Sequence, residues 1–440
     1  MSDLIIIGSG PGGYRTAEYA ARKGLSVTIF EEKEAGGTCL NCGCIPTKAL
    51  CHEAEVADML KEAGVTTIDY SSIKARKEQV IAQLRGGVET LLGGNNISFV
   101  RGHATLEDAQ TVRANGETYT AKNIIIATGS HAKRLPIEGI DQENVMTSTE
   151  LLDINEVPRR LCIVGAGVIG MEMASVFNSF GSEVTVIEFL KECLPMLDSD
   201  IAKRLRQTIS KRGVNFFMQS GVKRINGNTV FFERKGKEEQ VEADVILIAT
   251  GRGANVDGLG LENAGLAFSP KGIDVNDMMQ TNIPSIYAIG DVNARMMLAH
   301  AATFQGFRAV NHILGCEDQI NLKIMPSAIF TKPEAASVGL SEDQCKEKGI
   351  PFVSKKGFFR ANGKALAMNE TDGLLKLIAA EDGKIIGCHV FGAHAADIVQ
   401  EVSALMCKGT SIQELAQMVH IHPTLGEILQ DTALSFVSIR

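Results

Sequence analysis

Three cysteines, Cys39, Cys42 and Cys44, lie within six residues of one another. Thr38 is a candidate N-cap for a helix over residues 39–48. A thiol in the first turn of a helix lies at the positive end of the helix dipole, which favours its thiolate. Residues five apart in an ideal helix are somewhat too distant for a disulfide, so a Cys39–Cys44 bridge would require a distorted first turn. We interpret this cysteine cluster as a redox-active thiol pair.

Two other interpretations of the cysteine cluster stay open at this point. The spacing between Cys39 and Cys42 is that of zinc ligands, but no second pair at zinc-finger spacing follows closely, and Cys51 with His52 is the nearest candidate. Three buried, inert thiols would also fit the pattern. We favour redox chemistry because the cluster follows a dinucleotide-binding unit within a few residues, and we predict no metal site.

A second group of chemically versatile side chains lies near the C-terminus, where His420, His422 and Glu427 fall close together. A histidine has a pKa near neutral and can take a proton from a dithiol. A neighbouring carboxylate orients the ring, so a histidine–glutamate pair suits that task. On residue type alone, a histidine at such a position is more often structural.

Two units of dinucleotide-binding type must position these side chains. The first comprises a strand at 3–8, a loop with Gly8, Gly10 and Gly13, a helix at 14–23, a strand at 26–30 and the acid Glu31. Glycines permit the tight turn and the close approach of a pyrophosphate, whose charge the helix N-terminus binds. The acid accepts hydrogen bonds from a ribose. In this context the glycine pattern predicts a bound dinucleotide.

The second unit repeats the first. It comprises a strand at 161–164, a loop with Gly165, Gly167 and Gly170, a helix at 171–180, a strand at 183–187 and the acid Glu188. The first glycine and the acid are 23 residues apart in both units. Two copies imply two dinucleotides. An acid at Glu188 would bind a ribose 2′-hydroxyl and repel a 2′-phosphate, which favours NAD over NADP.

The segment 36–48 resembles the active-site motif of class I pyridine nucleotide–disulfide oxidoreductases, and the resemblance covers essentially the whole chain. It implies that Cys44 faces a flavin and forms the charge-transfer complex, and that Cys39 attacks the substrate. It also implies that Lys48 lies beside the reactive atoms of the flavin and pairs with Glu172. From spacing alone, Glu172 would be an ordinary carboxylate on a helix surface.

One position departs from the family motif. Cys42 stands where the family usually has a small apolar residue. A thiol there would allow a non-productive bridge to Cys39 or provide an additional oxidation site.

The tail resembles the family pattern His-x-His-Pro-Thr-x-x-Glu. The resemblance implies that His422 is the base and that Glu427 is its partner. It further implies that this pair acts in the active site of the other subunit. We therefore expect a homodimer with shared active sites.

The resemblance also implies which residues contact the two cofactors, FAD and NAD. The expected FAD contacts are Gly8, Gly10, Gly13, Glu31, Gly37, Thr38, Lys48, Ala104, Gly129, Asp291 and Ala299. The expected NAD contacts are Gly165, Gly167, Gly170, Glu188, Val222, Gly251 and Arg252.

The predicted fold is α/β, with two Rossmann-like dinucleotide-binding domains for FAD and NAD and a C-terminal α+β dimerisation domain. The expected divisions are 1–147 for the FAD domain with the redox cysteines, 148–272 for the NAD domain, 273–324 for the return to the FAD domain, and 325–440 for dimerisation. We predict helices over 51–95 with breaks at Gly86-Gly87 and Gly93-Gly94. We also predict antiparallel strands near 351–360, 373–380 and 384–391, and helices near 395–407 and 411–418.

Composition restricts the function and location. A net charge of −8 argues against a nucleic-acid partner. No apolar run approaches the ~20 residues that a membrane span requires. The first strand begins near residue 3, which leaves no room for a leader peptide. Ten scattered cysteines do not form a secreted disulfide framework, so we expect a cytoplasmic protein.

The resemblance implies a flavoprotein that oxidises protein-bound dihydrolipoyl groups to the disulfide. It would reduce NAD to NADH through FAD and the Cys39–Cys44 bridge. Its partners would be the lipoyl domains of 2-oxo acid dehydrogenase complexes or of the glycine cleavage system. The alternatives are a reductase for another disulfide or a metal ion, and a non-enzymatic zinc-binding or scaffolding subunit.

Overall fold

The computed structural model describes residues 1–65 and 67–437. Its strands are β1 (Ser2–Ile7), β2 (Val27–Glu31), β3 (Ile97–Arg101), β4 (Ala104–Leu106), β5 (Thr111–Ala114), β6 (Glu117–Ile126), β7 (Ser130–Ala132), β8 (Val145–Met146), β9 (Arg160–Val164), β10 (Glu183–Glu188), β11 (Asn215–Met218), β12 (Ser220–Asn226), β13 (Thr229–Arg234), β14 (Lys237–Glu242), β15 (Val245–Ile248), β16 (Arg252–Ala254), β17 (Phe268–Ser269), β18 (Gly272–Ile273), β19 (Ile286–Ala288), β20 (Ser327–Ile329), β21 (Ala335–Gly339), β22 (Phe352–Phe358), β23 (Leu374–Ala380) and β24 (Ile385–Phe391).

The helices are α1 (Pro11–Arg22), α2 (Gly37–Cys42), α3 (Cys44–Glu62), α4 (Tyr70–Leu92), α5 (Ser148–Leu151), α6 (Val168–Phe180), α7 (Ser199–Lys211), α8 (Ala299–Ile313), α9 (Glu342–Glu347), α10 (Gly363–Ala367), α11 (Ala395–Cys407), α12 (Ile412–Ala416) and α13 (Glu427–Leu434). Short 3-10 turns cover Leu261–Ala264, Gly290–Asn293 and Phe359–Ala361. Among the described residues, no helix is both long enough and apolar enough to cross a bilayer.

The first sheet is built around β1. Strands β3, β2, β1, β6 and β19 run parallel in that order, and β5 and β4 extend antiparallel from the first half of β6. Leu4, Ile5 and Ile6 of β1 are fully buried. Parallel strands covered on both faces need apolar side chains at every position, which is why the run at 3–8 forms this central strand.

The second sheet has the order β11-β10-β9-β15-β8, and all its strands are parallel. A three-stranded antiparallel sheet of β12, β13 and β14 accompanies it. The long helix α3, which follows the cysteine cluster, packs against α6 of this second unit. The predicted α/β class with two Rossmann-like units is confirmed.

The C-terminal part forms a separate antiparallel sheet with the order β20-β21-β24-β23-β22. Helices α11 and α13 pack on its strands. The predicted strands near 351–360, 373–380 and 384–391 correspond to β22, β23 and β24. Residues 438–440 of the predicted 325–440 segment lie outside the described residues.

The predicted single helix over 39–48 is wrong. Helix α2 ends at Cys42 and α3 begins at Cys44, because Gly43 has φ −146° and ψ −109°, far from helical values. Thr38 is not the N-cap. Gly36 precedes α2 in the left-handed region at φ +96°, so the helix begins at Gly37.

The predicted break at Gly86-Gly87 is also wrong, because α4 continues through both residues to Leu92. An exposed glycine in a helix costs about 1 kcal/mol relative to alanine. Burial of Ile73, Ile81 and Val88 on one face of α4 outweighs that cost. Two other helices, α1 and α6, begin three residues earlier than predicted, within the glycine loops.

Candidate active site

Cys39 and Cys44 form a disulfide across the break between α2 and α3, with their Cα atoms 4.7 Å apart. A Cβ on Gly43 would lie 2.9 Å from the carbonyl oxygen of Thr38 and 3.3 Å from the Cα of Cys39. The chain therefore turns back closely upon the start of α2, and only glycine fits the turn. Because its sulfur is bonded to Cys44, Cys39 has no free thiolate to share a zinc ion with Cys42, which is unpaired. The described residues hold no group of three side chains arranged for a metal ion.

Asn41 fixes the backbone that leads into the cysteine cluster. Its side-chain amide donates to the carbonyl oxygens of Ala35, at 3.0 Å, and Gly37, at 2.9 Å. Arg85 of α4 donates from Nε to the side-chain oxygen of Asn41 at 2.8 Å. This arginine supports the cluster from a distant helix, and nothing in its local sequence signals that role.

Lys48 and Glu172 form an ion pair between α3 and α6. The Lys48 Nζ lies 2.8 Å from Oε1 and 2.9 Å from Oε2 of Glu172, whose side chain is only 5% exposed. The amide of Phe330 donates to the same carboxylate at 2.9 Å, and Lys48 Nζ lies 4.5 Å from the centre of the Phe330 ring. Glu172 is therefore a buried partner rather than the surface carboxylate that spacing alone suggests.

We expect Glu172→Gln to lower the free energy of unfolding by about 1–3 kcal/mol, because the Lys48 ammonium would lose its hydrogen bonds to a charged and nearly buried carboxylate. Urea denaturation measures the change. The control is Glu183→Gln, an exposed carboxylate at the start of β10. Equal stabilities of the two variants would contradict a structural contribution from the pair.

Cys51 lies one turn beyond Lys48 and belongs to the surroundings of this pair. Its Sγ donates to the carbonyl oxygen of Phe330 at 3.2 Å. Burial raises the pKa of the Cys51 thiol to about 12, with a further contribution from Glu172. A thiol that stays protonated is a poor nucleophile, so Cys51 is structural.

The two glycine loops share one geometry. In each loop, the third glycine packs so closely on the first that a Cβ would overlap its carbonyl oxygen: Gly13 on Gly8, and Gly170 on Gly165. A Cβ on the middle glycine, Gly10 or Gly167, would meet nothing within 4 Å. These middle glycines are the N-caps of α1 and α6, and neither helix has a side-chain cap. Open space in front of uncapped amides fits a pyrophosphate in both loops.

Each loop is accompanied by a buried acid at the end of the second strand. Glu31 accepts hydrogen bonds from the amide and the hydroxyl of Ser9, both at 2.8 Å. Glu188 accepts from the amide of Ala166 at 2.5 Å. Both carboxylates are 8% exposed. Their equivalent positions fit ribose recognition in both units.

The other expected FAD contacts lie on several elements, and one of them touches the first loop. Gly37 lies against it, since a Cβ there would be 2.7 Å from the Cα of Gly10. Ala104 begins β4 and is buried, and Asp291 lies in the 3-10 turn after β19. The remaining three are Thr38, exposed on α2, Gly129, at φ +71° in an open turn, and Ala299, the first residue of α8.

The other expected NAD contacts are more scattered. Val222 lies on β12 opposite Phe232, beside a register shift in that strand. Gly251 has φ +105° and open space around its Cα. Arg252 is directed to Ser130 of the first unit, to which its guanidinium donates two hydrogen bonds.

His422 and Glu427 are paired in the tail, with Nδ1 2.8 Å from Oε1. The amide of Thr424 donates to the other oxygen of Glu427, and this bond, followed by the one from His422, holds the pKa of Glu427 below its usual range. The His422 side chain is 81% exposed, whereas the His420 side chain is 9% exposed and its ring is bonded to Glu401. Within the described part of this single chain, no hydrogen bond links the pair to the cysteine cluster.

Comparisons with known proteins agree with this geometry. The family described as pyridine nucleotide-disulphide oxidoreductase matches residues 2–306, and its dimerisation domain matches residues 325–433. The chain is 40% identical to the dihydrolipoyl dehydrogenase of Bacillus subtilis, with 98% of this chain and 96% of that protein covered. It is 39% identical to that of Geobacillus stearothermophilus, with 98% and 95% covered.

A solved structure with the same architecture is the HOCl-induced flavoprotein disulfide reductase RclA from Escherichia coli. Its TM-score is 0.90 at 30% identity, with 99% of this chain and 100% of that chain covered. A Cu(II) complex of the same protein gives a TM-score of 0.89 at 30% identity, with the same coverage.

Proposed function

The chain belongs to the pyridine nucleotide-disulphide oxidoreductase family, and from that premise we propose that it is a dihydrolipoyl dehydrogenase. It oxidises protein-bound dihydrolipoyl groups to the disulfide and reduces NAD to NADH. The observation that carries the proposal is the Cys39–Cys44 disulfide in a chain with two glycine loops that fit a dinucleotide, the first of which contacts the start of the disulfide's helix α2. The substrate is supported by 38–40% identity to dihydrolipoyl dehydrogenases over nearly the whole chain.

FAD and NAD are the cofactors of this family, and the two loops divide between them in our proposal. When bound, FAD supplies the two-electron chemistry that connects the dithiol with NAD. FAD would bind within segments 1–147 and 273–324. It would be held by the first loop together with Glu31, Gly37, Thr38, Lys48, Ala104, Gly129, Asp291 and Ala299. The second loop with Glu188, Val222 and Gly251 would hold NAD, within segment 148–272.

The residues of the chain carry out the dithiol step. His422 takes the proton from one dihydrolipoyl thiol, and Glu427 holds the ring and stabilises its positive charge. The thiolate attacks Sγ of Cys39, and the Cys39–Cys44 bond breaks with Cys44 leaving as a thiolate. The second lipoyl thiol then loses its proton as its sulfur attacks the first and displaces Cys39, and the departing Cys39 sulfur takes up a proton through His422. The lipoyl disulfide forms, and both cysteines are reduced.

We propose that the protein works as a homodimer in which His422 serves the site of a second copy. The match of residues 325–433 to the dimerisation domain and the exposure of His422 support this arrangement. The proposed location is the cytoplasm, supported by eight unpaired cysteines out of ten. Lipoyl domains of 2-oxo acid dehydrogenase complexes or of the glycine cleavage system are the proposed partners.

Gly167→Ala is expected to raise the Kd of NAD at least about tenfold without lowering Tm, because the added Cβ occupies only the space reserved for a pyrophosphate. Calorimetric titration of the flavin-loaded protein measures the binding. Gly10→Ala is the reciprocal variant and should weaken FAD while leaving NAD binding intact. Loss of both ligands in either variant would show a general fault of folding instead.

The substrate proposal is tested with free dihydrolipoamide. Anaerobic turnover with NAD, and far slower turnover with NADP, is the expected result. A flavin-containing protein that does not react with dihydrolipoamide but oxidises NADH with glutathione disulfide or Cu(II) would overturn the lipoyl assignment. Its membership of the family would still stand.

A further inference from the structure

Arg252 and Ser130 occupy equivalent positions in the two units and are bonded to each other. Ser130 follows Ala-Thr-Gly at 127–129, and Arg252 follows Ala-Thr-Gly at 249–251. Strands β7 and β16, which begin at these residues, pair antiparallel. The Arg252 guanidinium donates from Nε to the Ser130 hydroxyl at 2.7 Å and from Nη2 to the Ser130 carbonyl oxygen at 2.6 Å. The side chain expected at the NAD site is thus bound to the first unit.

The contact continues to Asp291. The Ser130 hydroxyl, which accepts from Arg252, donates to Oδ2 of Asp291 at 2.5 Å. The guanidinium lies 4.0 Å from the same oxygen, and the arginine and aspartate side chains are only 19% and 24% exposed. A hydroxyl that accepts from a cation becomes a better donor, so the three groups strengthen one another. Arg252 therefore acts on Asp291 mainly through Ser130.

The second oxygen of Asp291 takes no part in this network. Oδ1 accepts no hydrogen bond from any residue in the ranges that the structure describes. Asp291 follows β19 at the carboxyl end of a parallel strand, which is where open α/β sheets bind their ligands. Fixing Oδ2 sets the direction of Oδ1 and leaves it available to a ligand.

We propose that Arg252 is a positioning residue of the flavin site, which holds Asp291 through Ser130, rather than a contact of NAD. The inference rests on the proposed function only in assigning Asp291 to FAD. The carboxylate would accept from a hydroxyl of FAD, and Arg252 keeps it oriented through Ser130 before the ligand arrives. The network also joins the two units, since β7 belongs to the first and β16 follows the second.

The test compares the binding of FAD and NAD in Arg252→Met, Arg252→Lys and Ser130→Ala. Titration of apoprotein with FAD, followed by flavin fluorescence, should give a Kd at least about tenfold higher for Arg252→Met, as expected for the loss of a charged hydrogen bond. Arg252→Lys retains the charge and should recover part of the affinity. Calorimetry on the flavin-loaded variants should show the Kd of NAD unchanged within about twofold.

The control variant is Arg160→Met, which removes an arginine paired with Asp244 within the second unit and should change neither affinity. The double variant Arg252→Met/Ser130→Ala should bind FAD no more weakly than the weaker single variant, because the two residues act in series.

A higher Kd for NAD with unchanged FAD affinity, or no change in the Kd of either ligand, overturns the proposal. If Arg252→Met fails to fold, Arg252→Lys and Ser130→Ala decide. A protein that binds FAD but leaves dihydrolipoamide untouched would overturn the proposed function without affecting this comparison.

Discussion

Cys44→Ser is expected to lower the turnover of dihydrolipoamide with NAD at least about a thousandfold, since serine cannot form the bridge that Cys39 must share. Without that bridge, the substrate thiolate has no disulfide to attack. Steady-state NADH formation under anaerobic conditions measures the loss. Oxidation of NADH by a small electron acceptor should continue in the variant, because that reaction does not need the dithiol.

Cys42→Ser is the matched control for this prediction. It removes the unpaired thiol of the same cluster and leaves the bridge intact, so turnover should stay within about twofold of the original. Near-normal turnover of Cys44→Ser would contradict the assigned chemistry. An equal loss in both variants would indicate that the cluster tolerates no change of shape.

His422→Gln should slow the oxidation of the dithiol by about a hundredfold to ten-thousandfold, the usual contribution of a general base. Reduction of the loaded protein by NADH should keep its rate, because no dithiol proton is moved in that half of the reaction. Rapid-mixing measurements of the two half-reactions separate these effects. Glu427, whose pKa is lowered first by the Thr424 amide and then by His422, holds the ring through its hydrogen bond to Nδ1.

His420→Gln provides the control for His422→Gln. His420 lies in the same tail, but its ring is largely shielded from solvent and bonded to Glu401. We expect its replacement to leave both half-reactions near their original rates. Equal slowing of the dithiol step in both variants would contradict the assignment of His422 as the base.

Short-range patterns in the sequence predicted much of the fold. The two glycine loops were predictable because a strand, three glycines, a helix and an acid all fall within about thirty residues. The spacing of 23 residues from first glycine to acid recurs in both units, and the structure gives both acids equivalent hydrogen bonds. Strand β1 was equally clear, since a fully buried parallel strand needs an uninterrupted apolar run.

Residue types alone did not suffice where single backbone angles or distant contacts decide the structure. The break between α2 and α3 depends on the angles of Gly43, which a window of residue types does not reveal. The pairing of Lys48 with Glu172 joins residues 124 positions apart, so only a resemblance to known proteins suggested it. The contact of Arg252 with Ser130 spans 122 positions and was not predicted at all.

The central claim is that the dithiol substrate reduces the Cys39–Cys44 bridge and that NAD restores it. Its most direct test is to count alkylated cysteines by mass spectrometry of the denatured protein. The oxidised protein should give eight, since eight of its ten cysteines are unpaired. Anaerobic dihydrolipoamide should raise the count to ten, and NAD should return it to eight. A count that stays at eight with dihydrolipoamide, or at ten after NAD, would contradict the account.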